Sequence, residues 1–270
     1  MRILFCAALC GAALACGDGT GPASPPGTAP VSLSIGTGAT IQGAPGPALA
    51  SERFTLGGTT LVIDSVQIVL RDIELKPDDG FDCHAGLAPA LSESKDGHEG
   101  RDSQDSAKRC HEFETGPVLL SLPLGGGVQR AFTIDVPAGT YHDVEFELHK
   151  PAGEDDRPFL VANPDFFDTS VRVKGTFNGQ PFTYLGDITA EQELALVPPL
   201  EVKEGVPVNL SLMVDLSTWF LDRGGANFID PRTANRGGPN QGLVTQNIKA
   251  SLRVFEDDDR DGRQQGSSGP

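Results

Sequence analysis

From Leu61 to Val254 the chain is dominated by short stretches in which apolar and polar residues alternate, separated by glycine, proline or asparagine. A period of two matches a strand with one face turned to a core and one to solvent. Tyr141 to Lys150 alternates cleanly, with Val144, Phe146 and Leu148 on one face and Asp143, Glu145, Glu147 and His149 on the other. Val171, Val173 and Phe177 continue the pattern, Asn178-Gly179 supplies a hairpin turn whose residues tolerate positive φ, and Phe182 and Tyr184 return. Leu61 to Lys76 is longer and changes phase: Val62, Val66, Ile68 and Leu70 share one parity, Ile73 and Leu75 the other. That change predicts a long bent strand with a β-bulge near Arg71-Asp72. Val31–Ile35, Val118–Leu122, Arg130–Val136, Glu193–Val197, Val206–Val214 and Ile248–Val254 read as further strands. About nine strands with one apolar face each predict an all-β fold, a two-sheet antiparallel β-sandwich.

The segments without this alternation set the domain organisation. Residues 1–15 carry Arg2 and then an apolar run from Ile3 to Ala15, too short for the roughly 20 residues of a membrane-spanning helix. A basic start, a short apolar core and small residues at Ala13-Leu14-Ala15 describe a secretory signal peptide. Residues 16–53 are mostly Gly, Pro, Ser, Thr and Ala around the short Val31–Ile35 run. With little apolar surface to offset ordering entropy they read as a disordered tether. The sandwich is then expected over 54–256, with 257–270 as an acidic flexible tail. Inside it, Asp78 to Glu114 is an acidic, aperiodic insertion, and Gly224 to Gly242 is a long Gly- and Asn-rich connection. Both are candidate binding loops, or simply solvated excursions. Leu216 to Leu221 has the pattern of a short helical turn, and total helix content is expected to be small.

Charge and cysteine usage sharpen the picture. The formal net charge of −16, with no basic cluster, disfavours nucleic acid and anionic headgroups as partners. Five cysteines divide unevenly: Cys6 and Cys10 fall within the signal, and Cys83 and Cys110 form an even pair in an exported chain, the composition expected of a disulfide. Cys83-His84 and Cys110-His111 also offer four zinc ligands, but neighbours on an extended chain point oppositely, and zinc sites space paired ligands by two or more residues.

Cys16, following the small residues at the end of the signal, resembles the lipidation site of bacterial lipoproteins. The resemblance implies a lipid-anchored protein of the bacterial cell envelope, with membrane contact through the lipid alone. Gly17, rather than aspartate, after the cysteine implies the outer membrane. Ile63-Asp64-Ser65-Val66-Gln67-Ile68 with Asp72-Ile73-Glu74-Leu75, and Val136-Pro137-Ala138-Gly139-Thr140-Tyr141 leading into Val144–Leu148, resemble uncharacterised bacterial lipoprotein domains with a transthyretin-like, or prealbumin-like, β-sandwich. The likeness covers about Leu61 to Leu148 and implies no catalytic residue.

Three features carry candidate chemistry. Asp257, Asp259, Asp261 and Gly262 form D-x-D-x-D-G, the opening of a calcium loop, in which alternating carboxylates converge on a hard cation and the glycine permits the turn. The twelfth position, a glutamate in the full motif, is Ser268. The alternative is a solvated acidic tail. Glu145, Glu147 and His149 share a strand face and are candidate metal ligands, although any solvated strand carries such residues. Trp219-Phe220 is a candidate ligand anchor or part of the core. No nucleophile elbow, P-loop or dinucleotide fingerprint occurs. The expected role is binding, adhesion or architecture without catalysis, toward a protein or glycan ligand. The alternatives are a secreted metal-dependent hydrolase and a calcium-stabilised surface module.

Overall fold

A computed structural model of the chain describes residues 25–38, 51–77, 112–114 and 116–264. Among them are twelve strands: β1 Thr28–Gly38, β2 Glu52–Leu56, β3 Thr59–Pro77, β4 Glu112–Glu114, β5 Val118–Ser121, β6 Val128–Pro137, β7 Gly139–Leu148, β8 Val171–Phe177, β9 Gln180–Gly186, β10 Ala190–Val202, β11 Val208–Asp215 and β12 Leu252–Glu256. They form two open sheets enclosing one apolar core, the two-sheet sandwich that the alternation predicts. The smaller sheet has the order β12-β11-β1-β6, and the larger one β10-β7-β3-β8-β9. In the larger sheet β2, β5 and β4 pair with the other flank of β3. Among the described residues are also two short α-helices, α1 Arg157–Ala162 and α2 Gln241–Ala250.

The larger sheet is built on the 19 residues of β3. Its register shifts between Arg71 and Glu74, where Asp72 adopts a positive φ of 50°, which is the expected bulge. A second shift between Ile63 and Ser65 is also present. The two bulges explain which residues reach the core: Leu61 and Ile63, then Val66, Ile68 and Leu70, then Ile73 and Leu75 all belong to it, and Val62 does not; Val69 is buried too, but outside the core cluster. Each inserted residue restores the apolar set to the inner face after the chain has slipped by one. Across the bulge between Ile63 and Ser65, a Cβ on Gly175 would lie 1.9 Å from the Val62 carbonyl oxygen, so only glycine fits there.

β7 pairs with Leu70–Pro77 of β3 and β8 with Leu61–Ile68, on the same flank. They are two halves of one long strand, interrupted by residues 149–170, which leave the sheet where the Val69 carbonyl accepts from His149 N and the Val69 N–H donates to Ser170 O. β9 and β10 run back along β8 and β7 in the same way, interrupted at residues 187–189. Both outer edges are blunted. The Asn235 side chain accepts from Leu185 N at 2.7 Å and donates to Thr183 O at 3.3 Å, and Pro181, on the same edge, has no N–H. β10 carries Pro198-Pro199 where its register against β7 shifts. Such edges resist pairing with another strand.

The smaller sheet departs from several expectations. Residues 16–53 do not form one continuous tether: β1 lies within them, between β11 and β6, and is buried along most of its length, and β2 begins at Glu52. The sandwich therefore starts well before residue 54. The physical reason is that β1 is covered on both faces. Val31, Leu33 and Ile35 enter the apolar core, while Ser32 and Ser34 are also buried and pair with Thr133 and Asn209 at 2.9 and 2.7 Å. Its pairing with β11 is parallel, so the sandwich is not wholly antiparallel. Ile248 belongs to α2, not to the last strand, because Val244 and Ile248 bury one helical face at i,i+4 spacing. Of the expected 257–270 tail, residues 257–264 are not free: Asp257 is fully buried, and the chain turns back as far as Gln264, while 265–270 lie outside the described residues. The helical turn expected after β11 is the 3-10 turn Leu216–Thr218.

Candidate functional site

The C-terminal turn gathers the three aspartates of the D-x-D-x-D-G stretch. One carboxylate oxygen from each of Asp257, Asp259 and Asp261 lies within 4.8 Å of the others, and among the described residues this is the set of three or more acidic, histidine or cysteine groups that comes together. Asp257, directly after β12, is fixed from two directions. Its Oδ2 accepts from Ser211 Oγ of β11 at 2.6 Å and from Gly262 N at 3.1 Å, and its Oδ1 accepts from Asp261 N at 3.1 Å. Asn209 Nδ2 donates to the Asp257 carbonyl at 2.8 Å, and Ser34 Oγ donates to Asn209 Oδ1 at 2.7 Å, so the chain of bonds runs back to β1. Arg260 and Gly262 take positive φ values of 58° and 77°, which close the turn. Calcium sits about 2.3 to 2.6 Å from its oxygen ligands. Oxygens at most 4.8 Å apart place a central ion within about 2.8 Å of all three, so only a small inward movement of the carboxylates is needed to reach that distance. The all-oxygen, anionic donor set is also the chemistry a hard cation takes.

The Glu145, Glu147 and His149 face does not assemble as a metal set. Glu145 pairs with Lys76 Nζ at 2.6 Å, and Lys76 also binds Glu74. His149 is buried, with Nε2 2.9 Å from Asp156 Oδ1 and Nδ1 3.4 Å from Glu147 Oε2. Asp156 Oδ2 in turn accepts from Ala152 N at 2.7 Å. These contacts pin the base of the 149–170 excursion to β7. Trp219 and Phe220 are fully buried, with Trp219 Nε1 donating to Ser251 Oγ at 2.7 Å and Phe220 packed edge-on against Tyr184 and Phe182, so the pair belongs to the core. Cys16, Cys83 and Cys110 lie outside the described residues, as does most of the acidic insertion.

A second polar site lies beside β9, where no motif marks it. The end of the 149–170 excursion, the β9–β10 interruption and the connection after β11 meet there around an open cleft of about 340 Å³. Arg236 joins them. Its Nε donates to Asp187 Oδ2 at 3.0 Å, its Nη1 to Asp168 Oδ2 at 3.4 Å and its Nη2 to the Asp168 carbonyl at 3.2 Å. These hydrogen bonds, to Asp168 first and then to Asp187, hold the guanidinium above its ordinary range and firmly charged. Lys150 Nζ approaches Asp168 Oδ1 at 3.7 Å, and Gln241 Nε2 donates to Asp187 Oδ1 at 2.7 Å. Asp168 has a positive φ of 56°, which turns the backbone so that Phe167 stands 59% exposed on the rim. Sequence reading singled out the connection 224–242 but not its partners, since nothing local links Asp168, Asp187 and Arg236. Comparison with protein-family models, characterised proteins and solved structures finds no match to this chain.

Proposed function

We propose that this chain is a non-enzymatic binding module of the bacterial cell envelope, a β-sandwich carried on a lipid at Cys16 and engaging a protein or glycan ligand through the cleft beside β9. The observation that carries the reading is the convergence of three separate connections on that cleft, cross-linked by Arg236. Loops held in place by a rigid scaffold are where binding residues concentrate. The paired roles of Glu145 with Lys76 and His149 with Asp156 favour a structural rather than a catalytic use of those groups. The apolar leader ending at Cys16 favours the envelope. Hydrogen exchange of the chain incubated with purified envelopes of the producing cell tests the binding role. Protection confined to residues 165–169 and 233–237 is expected, and protection elsewhere, or none, overturns it. Metal analysis addresses the rival class directly, since stoichiometric zinc in the purified protein would replace this reading with a metal-dependent hydrolase.

The converging aspartates favour a second, compatible reading in which the C-terminal turn binds calcium and stabilises the module. A ligand bound only by the folded state at 100 times its dissociation constant adds about 2.7 kcal/mol. Millimolar calcium is therefore expected to raise Tm by several degrees in the parent chain and not in Asp259→Asn. An unchanged Tm in the parent chain removes calcium from the account.

A further inference from the structure

The binding reading leaves the ligand open, and the composition of the cleft narrows it. Phe167 is 59% exposed at the edge of the cleft, and Leu185 of β9 adds a second exposed apolar surface beside it. An exposed ring held by a left-handed residue is a costly arrangement, of the kind found where the chain is shaped for a ligand. The same cleft is lined by Asp168, Asp187 and Arg236, all planar groups already oriented by one another. Each carboxylate oxygen has a second lone pair, and the guanidinium retains N–H groups beyond the three in use.

Charge decides between ligand classes. In a chain of net charge −16, this cleft balances Asp168 and Asp187 against Arg236 and Lys150. Local neutrality favours neither an anion nor a cation. The polar groups disfavour a purely apolar ligand, because their hydrogen bonds to water would be lost without replacement. An added peptide strand is disfavoured as well, since Asn235 and Pro181 occupy the β9 edge. A neutral ring with an apolar C–H face and a perimeter of hydroxyls satisfies both halves of the cleft. Its face stacks on Phe167, and its hydroxyls donate to the carboxylates and accept from Arg236.

We propose that the cleft beside β9 binds a neutral saccharide, with Phe167 as the stacking platform and Asp168, Asp187 and Arg236 as hydrogen-bonding partners of its hydroxyls. This rests on the binding-module reading and names its ligand class. At about 340 Å³ the cleft lies at the small end of ligand sites, which run from about 300 to 1,000 Å³, and suits a terminal sugar more than a polymer threaded through it.

Saturation-transfer difference NMR and calorimetric titration of the full chain, with the methyl glycosides of glucose, galactose, mannose and N-acetylglucosamine, test the proposal. N-acetylneuraminic acid provides the anionic comparison. At least one neutral glycoside is expected to bind through its ring protons, more tightly than the anionic sugar. Phe167→Ala is expected to weaken that binding about tenfold, in line with an aromatic contact of about 1.4 kcal/mol, while Phe167→Tyr retains it. Arg236→Gln supplies an independent variant should Phe167→Ala fail to fold, and is expected to weaken binding as well. Absence of binding by every neutral glycoside, or binding unaffected by both Phe167→Ala and Arg236→Gln, overturns the saccharide assignment. If envelope-induced protection at residues 165–169 and 233–237 persists in that case, the module binds at the cleft but its ligand is of another class. If the protection is missing too, the binding reading falls with it.

Discussion

The acidic turn after β12 and the cleft beside β9 are both polar sites at the margin of a sheet, yet they are assembled in opposite ways. The turn takes its three carboxylates from five consecutive residues and hides one of them completely, with Asp257 anchored to Ser211 and to its own turn. The cleft takes Phe167, Asp187 and Arg236 from three connections and leaves the ring and the guanidinium at the surface. A site made by neighbours can be buried cheaply, because the same turn that brings the groups together satisfies their hydrogen bonds. One assembled across the fold stays open and depends on ion pairs between loops. Stability should therefore be concentrated in the turn and binding in the cleft.

Substitutions can break that division. The largest effect is expected for Asp257→Ala, which strands Ser211 Oγ and Gly262 N without their acceptor, leaves Asp261 N with Asp259 Oδ1 alone, and should lower unfolding free energy by about 2 to 3 kcal/mol in urea melts. A loss no greater than that of a surface change would mean that the turn is peripheral to the fold. Arg236→Ala removes exposed pairs and is expected to cost no more than about 1 kcal/mol, while loosening residues 233–237 in hydrogen exchange. Phe167→Ala should alter stability by less than about 0.5 kcal/mol, as for other surface positions, so any loss of binding in this variant is a loss of contact.

The two regions should also titrate with opposite signs. Burial, reinforced by the Asp258 carboxylate, pushes Glu256 at the end of β12 above the ordinary glutamate range. Its contribution to stability is present below its unfolded value and is lost as pH rises through the folded one. Near the cleft, the hydrogen bond from Arg232 holds Asp230 below the ordinary aspartate range. Its contribution is present above the unfolded value and is lost as pH falls through the folded one. Carboxyl NMR titrations should place the Glu256 midpoint above 4.5 and the Asp230 midpoint below 3.8, with Arg232→Ala moving Asp230 back upward. Midpoints displaced in the same direction would remove the distinction.

Much of the architecture is legible because a strand with one buried face writes its period directly into the chain. The Asn178-Gly179 hairpin could be located because its residues tolerate positive φ, and the bulge near Arg71-Asp72 because the apolar run changes phase there. The bulge near Asp64 was hidden because Val62 shares the parity of Val66, Ile68 and Leu70 and so carries one apolar phase across the slip. β1 was harder to read as a central strand. Ser32, Ser34 and Gly36 look like solvent-facing or linker residues until the fold covers them from both sides. α2 was concealed by the glycine- and asparagine-rich stretch that precedes it, with only two buried apolar residues to mark its face.

The same contrast separates the sites. The D-x-D-x-D-G spacing was visible because a calcium-type turn is a local object, whereas the burial of Asp257 was not, since it depends on Ser211 from another strand. The sequence by itself determined the strand periodicity, the turn residues and the grouping of the three aspartates, all of which follow from interactions within a few residues. Only the tertiary structure decided that β1 completes the smaller sheet parallel to β11. It also brought Phe167, Asp168, Asp187 and Arg236 around one cleft, because the pairing of distant segments is chosen by the closure of a shared core, which no local pattern encodes.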